Sequence, residues 1–356
     1  MKKIAIFLLL ISTLFMACET DFEVNASWKE VTVVYGLLDQ SQQQQYIKIN
    51  KAYLGEGDAL QMASVSDSIN YNPADLEVKI FKVNYDEFSG SVDTIGFVTL
   101  YDTILEKEDG LFATDENIIY TTPTNPFFLT NNADEKDYIL SIVNNKSGNI
   151  VSATTNLIHS LTDMDPTSGL HLEINSGQKF GFYPQIPNPP YVLPLVTEEG
   201  KQTVNWKHSK NGKVYQIIAR IHYTDFFQND TISNYIDWIQ PQIIYDGSNE
   251  MHYTFEGDVF VNTLATKITN TDTNLIARRL SHIELFFTVG SEDLYTYMAV
   301  NEPFEGIVQE RPIFTNINNG IGLFSCRYNK SHPMSFPPPT REGVSIDLAT
   351  LHFVYP

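Results

Sequence analysis

The chain has 356 residues, with 23 Lys plus Arg against 43 Asp plus Glu and a net charge of −20. An acidic excess without a basic stripe excludes nucleic-acid binding, which rests on clustered Lys and Arg at phosphates. The length bounds the fold at about two domains of roughly 150 residues each, and the many Tyr and Phe favour strands over helices.

Lys2 and Lys3 precede IAIFLLLISTLFM (residues 4–16). That run is too short for a comfortable membrane span, which needs roughly 20 apolar residues. A basic start, a short apolar core and the small Ala17 describe an export signal. The apolar run stops at Cys18, and Glu19, Thr20 and Asp21 follow. The stretch resembles a bacterial lipobox, with Phe15 where Leu is usual and Leu14 one place earlier. The resemblance implies a signal peptide over 1–17, palmitate-type acylation of Cys18 and a tether over 18–27. A leader cut at any small residue, with Cys18 incidental, is the alternative. Glu19, Thr20 and Asp21 resemble the acidic signal that sends Bacteroidota lipoproteins to the outer face of the outer membrane; a plain solvated tether is the bland reading. Acyl chains hold a protein because each buried CH₂ contributes roughly 0.8 kcal/mol, and stable attachment takes more than one chain. Processing leaves 339 residues at −22, an acidity suited to solubility at a crowded surface. With Cys18 acylated, Cys326 has no partner, so no disulfide framework is expected. Cys326 lies in GLFSCRY without an adjacent histidine, and reads as a buried strand thiol.

Along the chain, residues 31–38, 46–53 and 75–83 alternate with period two and predict half-buried strands. Asp58 is placed to cap a short helix. Strands follow over 93–104, 111–122, 136–145 and 149–158, the last two joined across Lys146, Ser147 and Gly148 in a hairpin. The polar, turn-rich 162–169 marks a boundary between an N-terminal domain, 28–160, and a C-terminal one, 161–356. The proline-rich 183–194 reads as a loop. TVNWKHS (203–209) and KVYQIIARIHYTDF (213–226) flank Lys210-Asn211-Gly212, a strong hairpin signal; the pair resembles strands B and C of fibronectin type III domains, whose inward Trp fills the core. Residues 250–257 and 281–289 add strands. Asp258 is placed to cap a helix over 259–268, and Ser291 with Glu292 and Asp293 to start one over 294–300. Residues 312–328 close the core pattern, and 345–356 read as a final strand. The fold class is thus all-β, two immunoglobulin- or fibronectin-III-like sandwiches with a few short helices.

Chemistry is sparse. His171 and Glu173 lack the further ligands zinc needs. Asp163 and Asp165 fall short of a calcium loop and read as a turn. No lipase-type serine elbow, zinc-protease helix motif or phosphate loop is present, so the reading is no enzyme, no metal and no cofactor. Asp-Ser-Ile and three Asp-Thr-Ile triplets put Ser68, Thr94, Thr103 and Thr231 in the pattern that resembles the O-glycosylation acceptor of exported Bacteroidota proteins. Tyr191 with Pro187, Pro189, Pro190 and Pro194 forms a rigid segment that suits a binding surface, or else covers a sheet edge.

The lipobox, VTVVYGLL, YILSIVNNKSGNIVSATTNLI, NWKHSKNGKVYQI and FTNINNGIGLF together resemble an uncharacterised family of Bacteroidota surface lipoproteins with a β-sandwich N-terminal region. The resemblance implies a partner among TonB-dependent outer-membrane transporters. The expected function is a non-catalytic, lipid-anchored outer-membrane protein, exposed at the cell surface, that binds a protein or ligand. The alternatives are a surface hydrolase of glycans or peptides and a fimbrial or adhesin-like component.

Overall fold

The computed structural model describes residues 29–54, 65–85, 91–106, 117–124, 136–159, 180–183, 200–248, 250–269, 272–302 and 312–355. The strands are β1 (Lys29–Asp39), β2 (Tyr46–Leu54), β3 (Leu76–Tyr85), β4 (Val92–Ile104), β5 (Ile118–Thr121), β6 (Asp137–Asn144), β7 (Ile150–Asn156), β8 (Lys201–Lys207), β9 (Val214–Phe226), β10 (Thr231–Ile239), β11 (Ile243–Ile244), β12 (Glu250–Glu256), β13 (Ala277–Gly290), β14 (Ile317–Asn318) and β15 (Gly320–Ser335). Among the described residues four short helices join them: α1 (Ser66–Ile69), α2 (Gly257–Lys267), α3 (Glu292–Asn301) and α4 (Pro338–Asp347). The protein is all-β with few short helices, as its composition and period-two patterns predict. No described helix is long and apolar enough to cross a membrane.

Most strands lie on one hydrogen-bonded path, β10-β9-β13-β15-β1-β2-β5-β4-β3-β6-β7-β14. The path turns a corner at β4, whose first part pairs with β3 and whose last four residues pair with β5. It turns again between β14, on β7, and β15, on β1; Asn319 makes that bend in the left-handed region at φ 58°. The β3-β6-β7 layer thereby folds over β1, β2 and β15. Val78, Ile80, Leu140, Ile142, Val151 and Ala153 meet Val34, Leu38, Ile47, Ile49 and Phe324 in one core.

The boundary expected at residue 160 is crossed by main-chain pairing. β1 runs parallel to β15 from Thr32 opposite Gly320 to Asp39 opposite Arg327. Asp39, 2% exposed, secures the end of this ladder by accepting from Asn329 Nδ2 at 2.5 Å and Arg327 Nε at 3.2 Å. On the C-terminal side, Tyr215, Ile217, Ala219 and Ile221 of β9 alternate inward beside Ile283, Leu285, Phe287 and Val289 of β13. The separate β8-β12 pair and α2 cover them, adding Val204, Trp206, Phe255 and Phe260. Trp206 lies 5.6 Å from Phe287 and 5.9 Å from Tyr215, ring to ring.

Three local expectations are corrected. The Asn-Gly turn forms, with Asn211 at φ 67°, but β8 and β9 do not pair. β8 pairs with β12 because Trp206 and Tyr215 need to face each other across the core rather than lie side by side. Asp258 sits inside the first turn of α2, whose N-cap position is Glu256. Of the final strand expected over 345–356, the described residues 345–355 instead give the end of α4 and a 3-10 turn, and Phe353 makes an isolated bridge to Arg278. The expected helix at Asp58, the turn at 162–169 and all but Tyr183 of the loop at 183–194 lie outside the described residues.

Among the described residues, buried Trp206 Nε1 has no hydrogen-bond partner. Trp206→Phe therefore orphans no acceptor and loses only volume. We expect a loss of about 1–2 kcal/mol, read by urea denaturation at constant m-value.

Candidate functional site

A cleft of about 430 Å³ opens where β7, the β8–β9 turn, Tyr245 and the first turn of α3 converge. Each wall is fixed by its own bonds. The turn is tied to the chain after β7: Asn211 Nδ2 donates to the Leu157 carbonyl at 2.8 Å, and His159 N–H donates to the Lys210 carbonyl at 3.0 Å. Tyr245 N–H donates to the Lys213 carbonyl, and Lys213 N–H to the Gly290 carbonyl. Ser291 caps α3, as its position before Glu292 and Asp293 predicts. Asn316 Nδ2 holds Asp293 Oδ2 at 2.8 Å and also donates to the Phe324 carbonyl, so the acidic turn is braced against β15.

The lining is polar, with Thr154, Thr155, Asn156 and Ser291 beside charges of both signs. Among the described residues, the side chains of Lys213 and Glu292 form no ion pair or hydrogen bond with the protein. The His208 ring stacks on Tyr245, centroids 3.4 Å apart and 8° from parallel, and its Nδ1 lies 3.1 Å from Tyr215 Oη. Burial pushes the Tyr215 phenol up to about 12. It therefore keeps its proton, accepts from Ser209 N–H at 2.8 Å and donates to His208 Nδ1. The remaining His208 nitrogen, Nε2, then carries the ring proton.

Burial, and then the nearby Lys213 ammonium, hold His208 below its ordinary 6.5. His222 on β9 is lowered by burial and by its stacked neighbour His282, 4.2 Å away. Both folded values are depressed, so the unfolded chain binds protons first. Their stabilisation is complete above pH 6.5 and is lost as pH falls through the folded values. The expected thermal midpoint is flat from pH 7 to 8 and declines below about 6.5, with a shallower decline in His208→Gln.

Nucleophilic chemistry has little to work with here. Cys326, fully buried, donates its thiol to the Asn156 carbonyl at 2.8 Å, and burial raises it to about 12. Ser291 Oγ is engaged with Ser325 Oγ. Among the described residues no cluster of three or more His, Cys, Asp or Glu could hold a metal ion. The cleft is equipped to exchange hydrogen bonds and charge with a polar ligand.

A second surface lies on the outer face of the long sheet. Tyr101 and Tyr46 both stand opposite Thr121, and Tyr35 stands opposite Lys48, two residues from Tyr46. Directly opposed residues share a face, so the three rings form a flat patch, each 45–60% exposed.

The residues singled out in the sequence are scattered. Thr94, on β4, and Thr231, at the start of β10, are exposed; Ser68, in α1, and Thr103, on β4, are half-buried. Cys18, Glu19, Thr20 and Asp21 lie outside the described residues, as do Tyr191, Pro187, Pro189, Pro190 and Pro194. The sequence marked the 210–212 turn and the Ser291 cap as structural signals, but not His208, Lys213 or Tyr245 as a site. Their convergence depends on which sheets the strands join. Comparison with family models and with curated proteins finds no match to this chain.

Proposed function

We propose that this is a non-catalytic lipoprotein of the outer-membrane surface, held by acyl chains on Cys18, that recognises a polar ligand or partner. The cleft carries the reading: beside the exposed Thr154 it offers a Lys213 ammonium and a Glu292 carboxylate that no described residue engages. Such a mixed set pairs with a ligand presenting both donors and acceptors, such as a glycan or a peptide. The leader and Cys18 support the anchoring half, and Glu19, Thr20 and Asp21 support the outward-facing location. The tyrosine patch suits a protein neighbour, a TonB-dependent transporter being the kind expected, because large rings give contact area at low entropic cost. Thr94 and Thr231 are the acceptor hydroxyls best exposed for a glycan.

Intact-mass analysis of the native protein tests the anchor. The expected product begins at Cys18 with added acyl mass, and Cys18→Ser releases it from membranes. A native chain starting at another residue, or carrying an unmodified Cys18, removes the anchoring half of the reading.

A further inference from the structure

Among the described residues one edge of the long sheet is open. β10 ends the hydrogen-bonded path and, among the described residues, pairs only with β9, from Thr231 opposite Phe226 to Ile239 opposite Ile218. Three contacts fix which main-chain groups face away from β9. Lys267 Nζ donates to the Asp237 carbonyl. Asp230 Oδ1 accepts from Thr231 N–H at 2.7 Å. The Phe226 carbonyl, opposite Thr231, accepts from Ile276 N–H on the other side of β9. Main-chain groups alternate sides along an antiparallel strand, so Thr231, Ser233, Tyr235 and Asp237 all present N–H and C=O outward.

Edge strands are normally blunted by proline, lysine or a bulge. β10, TISNYIDWI, contains no proline or lysine, and its pairing with β9 is without register shift. It also exposes Ile232, Tyr235 and Ile239 at 44%, 56% and 63%.

We propose that β10 is a self-association edge, where two copies of this chain pair antiparallel about a two-fold axis at Asn234. In that register Thr231 meets Asp237 and Ser233 meets Tyr235, so outward groups oppose outward groups throughout. Ile232 meets Ile236, and no like charges are opposed. Charge complementarity selects a second copy as the occupant. Asp230 caps one end of the open stretch and Lys267 the other, and the two-fold axis brings the Asp230 of each copy to the Lys267 of its mate. The Thr231 N–H and the Asp237 carbonyl, each now satisfied by a flexible side chain, then bond each other. The net charge of −20 opposes association at long range, but separations beyond a Debye length of about 8 Å are largely screened at physiological salt.

Sedimentation velocity and disulfide capture on the full chain in nonionic detergent, in a Cys18→Ser background, test this. Cys326 is buried, so position 234 then offers the accessible thiol. Asn234 faces its own copy as a non-hydrogen-bonded pair, about 4.5 Å between Cα atoms, within disulfide reach. Asn234→Cys is expected to give a cross-linked dimer under mild oxidation, whereas Ile239→Cys, exposed on the same strand, is not. Ser233→Pro removes an outward N–H without touching the β9 ladder. It should weaken dimerisation by about 10-fold or more while leaving the thermal midpoint of the monomer unchanged. A chain that sediments as a monomer at about 50 μM, where a dissociation constant near 1 μM would give mostly dimer, overturns the proposal. So does equal cross-linking at 234 and 239, or a dimer indifferent to Ser233→Pro.

Discussion

Asp225→Ala is expected to destabilise the protein by about 3–5 kcal/mol, the range for breaking a buried ion pair on one side. Arg278 and Asp225 are 5% and 8% exposed, with Nε donating to Oδ1 at 2.8 Å. The guanidinium also donates to the Leu351 and Thr269 carbonyls, each at 3.2 Å. Around it the main chain closes the C-terminal segment: Arg278 N–H donates to the His352 carbonyl, and Val354 N–H to the Arg278 carbonyl. Removing the carboxylate strands a buried cation among carbonyls that only partly replace it. Removing both members, as Asp225→Leu with Arg278→Met, should cost far less than the two single changes added together. Coupling of this kind is measured by a double-mutant cycle in chemical denaturation. Equal and additive losses would mean that the pair is solvated in the folded state.

Gly322→Ala is the second large effect, expected at about 4 kcal/mol or more. Gly322 stands opposite Val34 in the parallel β1–β15 ladder, at φ +115°, where side chains are strained. A Cβ there would lie 2.0 Å from the Val34 carbonyl oxygen. That atom belongs to main chain and cannot swing away, so the ladder itself has to open. The ladder joins the first strand to the long penultimate segment, so the loss should appear as one cooperative shift of the whole transition. Gly96→Ala is the control: a Cβ at Gly96 meets nothing within 4 Å. A Gly322→Ala protein as stable as the parent would contradict the parallel pairing.

Much of the architecture was legible because period-two alternation is a local property. Ile217, Ala219 and Ile221, or Ile283, Leu285 and Phe287, announce a strand with one buried face without reference to their partners. Ser291 with its two acids likewise announces a helix start. Pairing is not local. Lys210-Asn211-Gly212 reads as a hairpin, yet the flanking strands enter facing layers, because the large rings of Trp206 and Tyr215 fill one core together. Nothing near Thr32 says that its neighbour is Gly320. The tail, 345–356, has the alternating apolar residues of a strand, but Leu348 and Phe353 are buried from a helix end and a turn, held by the Arg278 contacts. The cleft was illegible for the same reason as the pairing. His208, Lys213, Tyr245 and Glu292 are ordinary residues apart and become a site only when β7, β9 and α3 meet.

The central claim is that this cleft recognises a ligand and releases it unchanged. Calorimetric titration of the full chain with a panel of defined oligosaccharides and short peptides, followed by mass analysis of the recovered ligand, measures both parts. The account predicts saturable binding to one class, weakened about 10-fold or more by Lys213→Ala or Glu292→Gln, with the ligand returned intact. Binding untouched by either substitution, or a ligand recovered in pieces, would contradict it.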